Sequence, residues 1–128
     1  MSERTSYEPR TFCWVELMTS DAAAARKFYG ELFGWTTQEI PGAGGYRVIR
    51  NGERSAGGIM PRELVGAGAP ASWVPYFGHP DVDALLAEVE GLGGRVLAGP
   101  TRVPAGTFAV LADPQGAVFA VLTGDYDD

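Results

Sequence analysis

The segment Phe12-Cys13-Trp14-Val15-Glu16-Leu17-Met18 sets one carboxyl group inside an otherwise apolar and aromatic run. Strand alternation puts Trp14, Glu16 and Met18 on one face, with Cys13, Val15 and Leu17 on the other. A carboxylate among aromatic side chains loses hydration, which raises its pKa unless Arg47 or another cation pairs with it. A group tuned in this way can take a proton from a substrate near neutral pH, so Glu16 is the chain's best general-base candidate. The competing reading makes Glu16 structural, bonded to backbone or to an arginine across a sheet. His79 is the sole histidine and the one side chain with an unperturbed pKa near neutrality, but Pro80 follows it and a loop or cap role is expected. Cys13 has no evident base beside it and reads as a structural thiol. Gly42-Ala43-Gly44-Gly45 lacks the strand-to-helix setting of a phosphate-binding loop.

The elements that must position these groups occur twice. Residues 14–34 are echoed by residues 73–93: Trp14-Val15 and Trp73-Val74 each open a strand, cross a polar turn and lead into a helical run. In the first copy, strand 12–18 precedes a helix in which Thr19-Ser20 offers an N-cap and Asp21 suits the first turn. Ala25, Phe28, Tyr29 and Leu32 follow the spacing of a buried stripe, and Gly34 is placed to stop the helix. Strands near 35–39, 46–50 and 55–60 follow, separated by the Pro41–Gly45 and Asn51-Gly52 turns. Residues 61–72 read as a linker. The second copy has a strand over 73–78, then a helix from about 81 to 91 with Val82, Leu85, Leu86 and Val89 on one face. Strands near 94–98, 106–112 and 117–122 complete it, the last two joined by the turn Asp113-Pro114-Gln115-Gly116. The order is βαβββ, twice, which makes the chain α+β.

Composition narrows the function. The chain has 128 residues, 45% of them hydrophobic, enough to bury a core as a single domain without disulfides. Its one cysteine excludes an internal disulfide. A net charge of −6 with scattered basic residues argues against nucleic acid. The charged start Met1–Thr5 and the lack of a long apolar run point to a cytoplasmic protein without a membrane partner. The acidic tail, residues 124–128, reads as a solvated end.

The run Phe28-Tyr29-Gly30-Glu31-Leu32-Phe33-Gly34-Trp35 resembles the first-helix signature of the vicinal oxygen chelate superfamily, which includes glyoxalase I, extradiol dioxygenases and bleomycin-binding proteins. Asp113–Ala120 is similar to its closing hairpin, and Asp81–Ala84 with Gly91–Val96 to its second helix and following turn. The resemblance spans about residues 11 to 122. It implies two βαβββ modules, about 11–60 and 73–122, whose sheets curl into a cup-shaped surface, and a homodimer as the expected assembly.

The same resemblance says where metal ligands would stand. A histidine seven residues before the helix-opening Asp falls on Trp14. A second ligand falls on Trp73 or Val74, and a glutamate seven residues after Asp113 falls on Ala120. None of these side chains coordinates a cation. The expectation is therefore a metal-free, cofactor-free cup that binds a small organic molecule. Trp14, Glu16, Met18, Trp73, Tyr76 and Ala120 are its candidate lining residues, although alternation alone does not decide whether Tyr76 or Phe77 faces inward. A metal-independent enzyme using Glu16 for proton transfer is the first alternative. A divalent-metal lyase or dioxygenase with unconventional ligands is the second.

Overall fold

A computed structural model describes residues 9–42, 45–60, 71–103 and 106–124. Eight strands and two α-helices occur among them: β1 (Phe12–Met18), α1 (Ala22–Phe33), β2 (Thr36–Glu39), β3 (Arg47–Asn51), β4 (Arg54–Met60), β5 (Ser72–Gly78), α2 (Val82–Val89), β6 (Arg95–Val103), β7 (Gly106–Ala112) and β8 (Val118–Gly124). A 3-10 turn, Glu90–Leu92, closes α2. The expected double βαβββ order is present. The linker expected over 61–72 and the acidic tail lie almost wholly outside the described residues, but Ser72 already belongs to β5.

The chain forms two compact units, one of Val15–Trp73 and one of Met1–Trp14 with Val74–Asp128. In the first, β4 pairs in parallel with β1 and antiparallel with β3, and β3 pairs with β2. Leu17, Ile49 and Ile59 form its core, against which Ala22, Ala25, Tyr29 and Trp35 pack. In the second, β5 pairs in parallel with β8, and β8, β7 and β6 follow antiparallel. Val82, Ala109, Leu111 and Val121 form that core, with Phe77, Leu85, Leu86, Val89, Val96 and Phe119 packed on it. The expected face of α2 is therefore the one that packs. Residues before β1 also belong here: Arg10 N–H donates to the Gly78 carbonyl, and Gly78 N–H donates to that of Thr11.

Three expectations are corrected. The N-cap of α1 is Asp21 rather than Thr19 or Ser20: its carboxylate accepts from Ala24 N–H at 3.0 Å, while Thr19 Oγ1 accepts from Asp21 N–H. The stripe of α1 is narrower than its periodicity predicts. Ala25 and Tyr29 turn to the core, but Phe28 and Leu32 are each 58% exposed. The third concerns length, because β6 continues through Gly99-Pro100 to Val103, with register shifts beside Ala98 that absorb the irregularity. Gly34 ends α1 in the left-handed conformation as expected, and Gly116 N–H closes the Asp113 turn on the Asp113 carbonyl. Among the described residues no helix is long and apolar enough to cross a membrane.

Candidate functional site

Sheet register sorts the expected residues by face. In the Val15–Trp73 unit, Leu17 and Ile59 stand opposite each other and point to α1, so Glu16, Met18, Gly58 and Met60 take the other face. Val48 pairs with Gly58 and joins that face, whereas Arg47 pairs with Ile59 and shares its side of the sheet. Alternation therefore removes Arg47 as a partner for Glu16. Glu16 is 3% exposed, and among the described residues it is the one buried side chain that can carry a full charge at neutral pH.

Two glycines in β4 give this face its form. A Cβ on Gly57 would stand 2.8 Å from the Val15 carbonyl oxygen, so its absence lets β1 and β4 approach. A Cβ on Gly58 would overlap the Tyr46 hydroxyl and stand 3.0 Å from Glu16 Oε1. Tyr46 lies just before β3, where its carbonyl accepts from Ile40 N–H and extends the β2–β3 hairpin. The phenol thus reaches across a glycine toward a buried carboxyl group. Neither Tyr46 nor Gly58 is singled out by motif or composition. The signal available was the Gly57-Gly58 pair inside a strand, which marks close approach of another group.

In the other unit, Tyr76 answers the question that alternation left open. Phe77 packs on the α2 core, so Tyr76 faces the opposite side, in register with Ala120. Val74, Tyr76, Phe108, Val110 and Ala120 are all buried there, and the Tyr76 and Phe108 rings lie 6.0 Å apart. Trp73 has the parity of Phe77, and its indole N–H donates to the Tyr29 hydroxyl at 3.1 Å. It belongs to an aromatic group with Tyr29 and Trp35 on the α1 side of the Val15–Trp73 unit. Trp14 shares the Glu16 face of β1 and is half-buried.

His79 has the cap role expected of it. Its Nδ1 accepts from Asp81 N–H at 3.0 Å, and its carbonyl accepts from the Thr123 hydroxyl, which in turn accepts from Val82 N–H. Cys13 is buried on the face opposite Glu16, and loss of hydration pushes its thiol up to about 11 from the ordinary 9.0, against a smaller lowering by its own backbone. The folded thiol keeps its proton where an unfolded one releases it. Its stabilising effect is therefore complete below pH 9.0 and is lost as pH rises through about 11. We expect iodoacetamide at about pH 8 to label Cys13 in urea but not in the folded protein. Rapid labelling of folded protein would contradict the burial.

Residues 11–121 match the model of the Glyoxalase/Bleomycin resistance protein/Dioxygenase superfamily. The chain belongs to that superfamily. It is 41% identical over 118 residues to "Putative glyoxylase CFP32" of Mycobacterium tuberculosis, covering 90% of this chain and 44% of that protein. It is 36% identical over 132 residues to the anthracycline biosynthesis protein DnrV of Streptomyces peucetius, covering 91% and 48%. The chain thus spans about half the length of the curated relatives it matches. Among solved structures, homoprotocatechuate 2,3-dioxygenase from B. fuscum superimposes with a TM-score of 0.58 at 20% identity, over 99% of this chain and 37% of that one. Methylmalonyl-CoA epimerase of Streptomyces coelicolor gives 0.55 at 20% identity, over 94% and 99%. These likenesses show the glyoxalase-like fold, two βαβββ modules of α+β class.

A divalent metal of the superfamily kind does not fit the side chains present. Trp14, Val74 and Ala120 occupy the positions where the family resemblance puts ligands, and none offers a donor. Among the described residues no three His, Cys, Asp or Glu side chains gather closely enough to hold an ion.

Proposed function

We propose that this glyoxalase-like chain binds a small organic molecule against the strand face that carries Glu16, without a resident metal ion. The observation that carries the reading is the burial of Glu16. Register sets this carboxyl group beside Met18, Met60 and Val48, so it is one placed polar group on an otherwise apolar strand face. Small-molecule sites have this composition, mostly apolar walls with a few placed polar groups. The Tyr46 hydroxyl beside Glu16 also favours a second reading, in which Glu16 moves a proton on the bound molecule. The name of the relative DnrV makes hydroxylated aromatic polycycles the first ligand class to try.

The test uses protein purified without a histidine tag and treated with EDTA. Titration with 2,6-dihydroxyanthraquinone, read by quenching of tryptophan emission, should saturate at one molecule per chain. Chelation should leave affinity unchanged, and metal analysis should find well under one equivalent of zinc, iron, nickel or manganese. Absence of saturable binding would sink the ligand class. Binding that returns only on adding a metal would sink the metal-free reading.

A further inference from the structure

We propose that Tyr46 is the specificity-determining residue of this site: its hydroxyl donates to Glu16 across Gly58, and the pair accepts a hydroxyl from the ligand, so phenols and enols bind in preference to carboxylates. The inference rests on the reading that the Glu16 face binds a small molecule, and it adds the ligand's contacting group.

Three segments of chain create the arrangement. Glu16 on β1 stands in register with Gly58 on β4, and Gly58 in register with Val48 on β3. Tyr46 precedes Val48 by two residues and so shares its face, placing the ring diagonally over Gly58. Any side chain at position 58 would occupy the space of the phenolic hydroxyl. Glycine there is what allows tyrosine and glutamate to converge. Tyr46 is half-buried and Glu16 is buried, so the phenol is the outer member of the pair.

The chemistry then follows from donor and acceptor counts. An ionised carboxylate only accepts, and a phenol has one hydrogen to give. A bond from Tyr46 to Glu16 is charge-assisted and spends that hydrogen inside the pair. What the pair offers a ligand is acceptor capacity and negative charge. A ligand O–H meets both, whereas a ligand carboxylate meets like charge and no donor.

Two measurements test this. In a double-mutant cycle of Glu16→Gln, Tyr46→Phe and both together, urea unfolding should give a double variant whose unfolding constant departs roughly tenfold from the product of the single effects. Simple additivity would overturn the pairing. In the second, wild type and variants are titrated with 2,6-dihydroxyanthraquinone and with anthraquinone-2-carboxylate. Wild type should prefer the hydroxylated probe by roughly tenfold or more. Tyr46→Phe, which removes one oxygen, should erode that preference, and Gly58→Ala should do the same by displacing the phenol. Glu16→Gln should reverse it, because an amide donates to a carboxylate. Circular dichroism on each variant separates loss of fold from loss of selectivity, and Tyr46→Phe carries the result if Gly58→Ala does not fold. An unchanged preference in Tyr46→Phe would overturn the proposal while leaving binding intact. Failure of both probes on wild type would overturn the binding reading and the selectivity built on it, and the cycle would still decide the contact.

Discussion

Leu111→Ala is expected to lower the free energy of unfolding by about 2–5 kcal/mol. Leu111 is 0% exposed near the end of β7, with Val96 opposite it on β6 and Phe119 opposite it on β8. It sits in one core cluster with Val82 of α2 and with Ala109 and Val121. Truncation removes transfer energy and leaves a cavity whose walls are held by two strand ladders, so collapse around it is limited. Urea unfolding followed by far-ultraviolet circular dichroism measures the loss. A change below about 1 kcal/mol would mean that the neighbours refill the space and that this cluster is less constrained than its register implies.

Gly57→Ala is expected to cost about 2–4 kcal/mol, from a position with no cavity at all. Gly57 has φ +154°, and an added Cβ would press on the Val15 carbonyl oxygen at 2.8 Å and on Val15 Cγ1 at 3.2 Å. Both the backbone conformation and the approach of β1 to β4 oppose a side chain. Relief requires β4 to withdraw from β1, and that moves Gly58 relative to its register partner Glu16. Stability and ligand affinity should therefore fall together. A variant that loses stability yet keeps full affinity would show that the β1–β4 spacing does not position Glu16.

Much of the fold was legible because local signals agreed with tertiary demands. The apolar run 12–18 coincides with β1, and the Asp113 turn folds as its residues specify, with Asp113 Oδ1 accepting from Gln115 and Ala117 N–H. Periodicity was less informative on α1, because a 3.6-residue repeat identifies a stripe without saying how wide a surface meets it. Tyr29 turns inward and its neighbour Phe28 outward, a division set by where Trp35 and Trp73 sit. Glu16 could be assigned to a face by alternation alone. Its neighbour could not be: Tyr46 is distant in sequence, and its approach depends on a missing side chain in a third strand. Trp73 is the converse case. Its strand was legible, but its indole follows a hydrogen bond to Tyr29 that strand alternation does not encode.

The division of the chain between its two units has a consequence for how it is made. One unit is an unbroken stretch, Val15–Trp73, while the other joins residues up to Trp14 with those from Val74 onward. In the first, the β2–β3 and β3–β4 hairpins are contacts close in sequence, the faster kind to form, although β1 must still reach β4. The second contains backbone bonds between Gly78 and both Arg10 and Thr11, so in translation its first segment emerges before β5 and waits for it. During that interval the apolar residues Phe12, Cys13 and Trp14 adjoin backbone groups whose β5 partner has not yet been synthesised, the kind of transiently exposed strand that favours aggregation over folding.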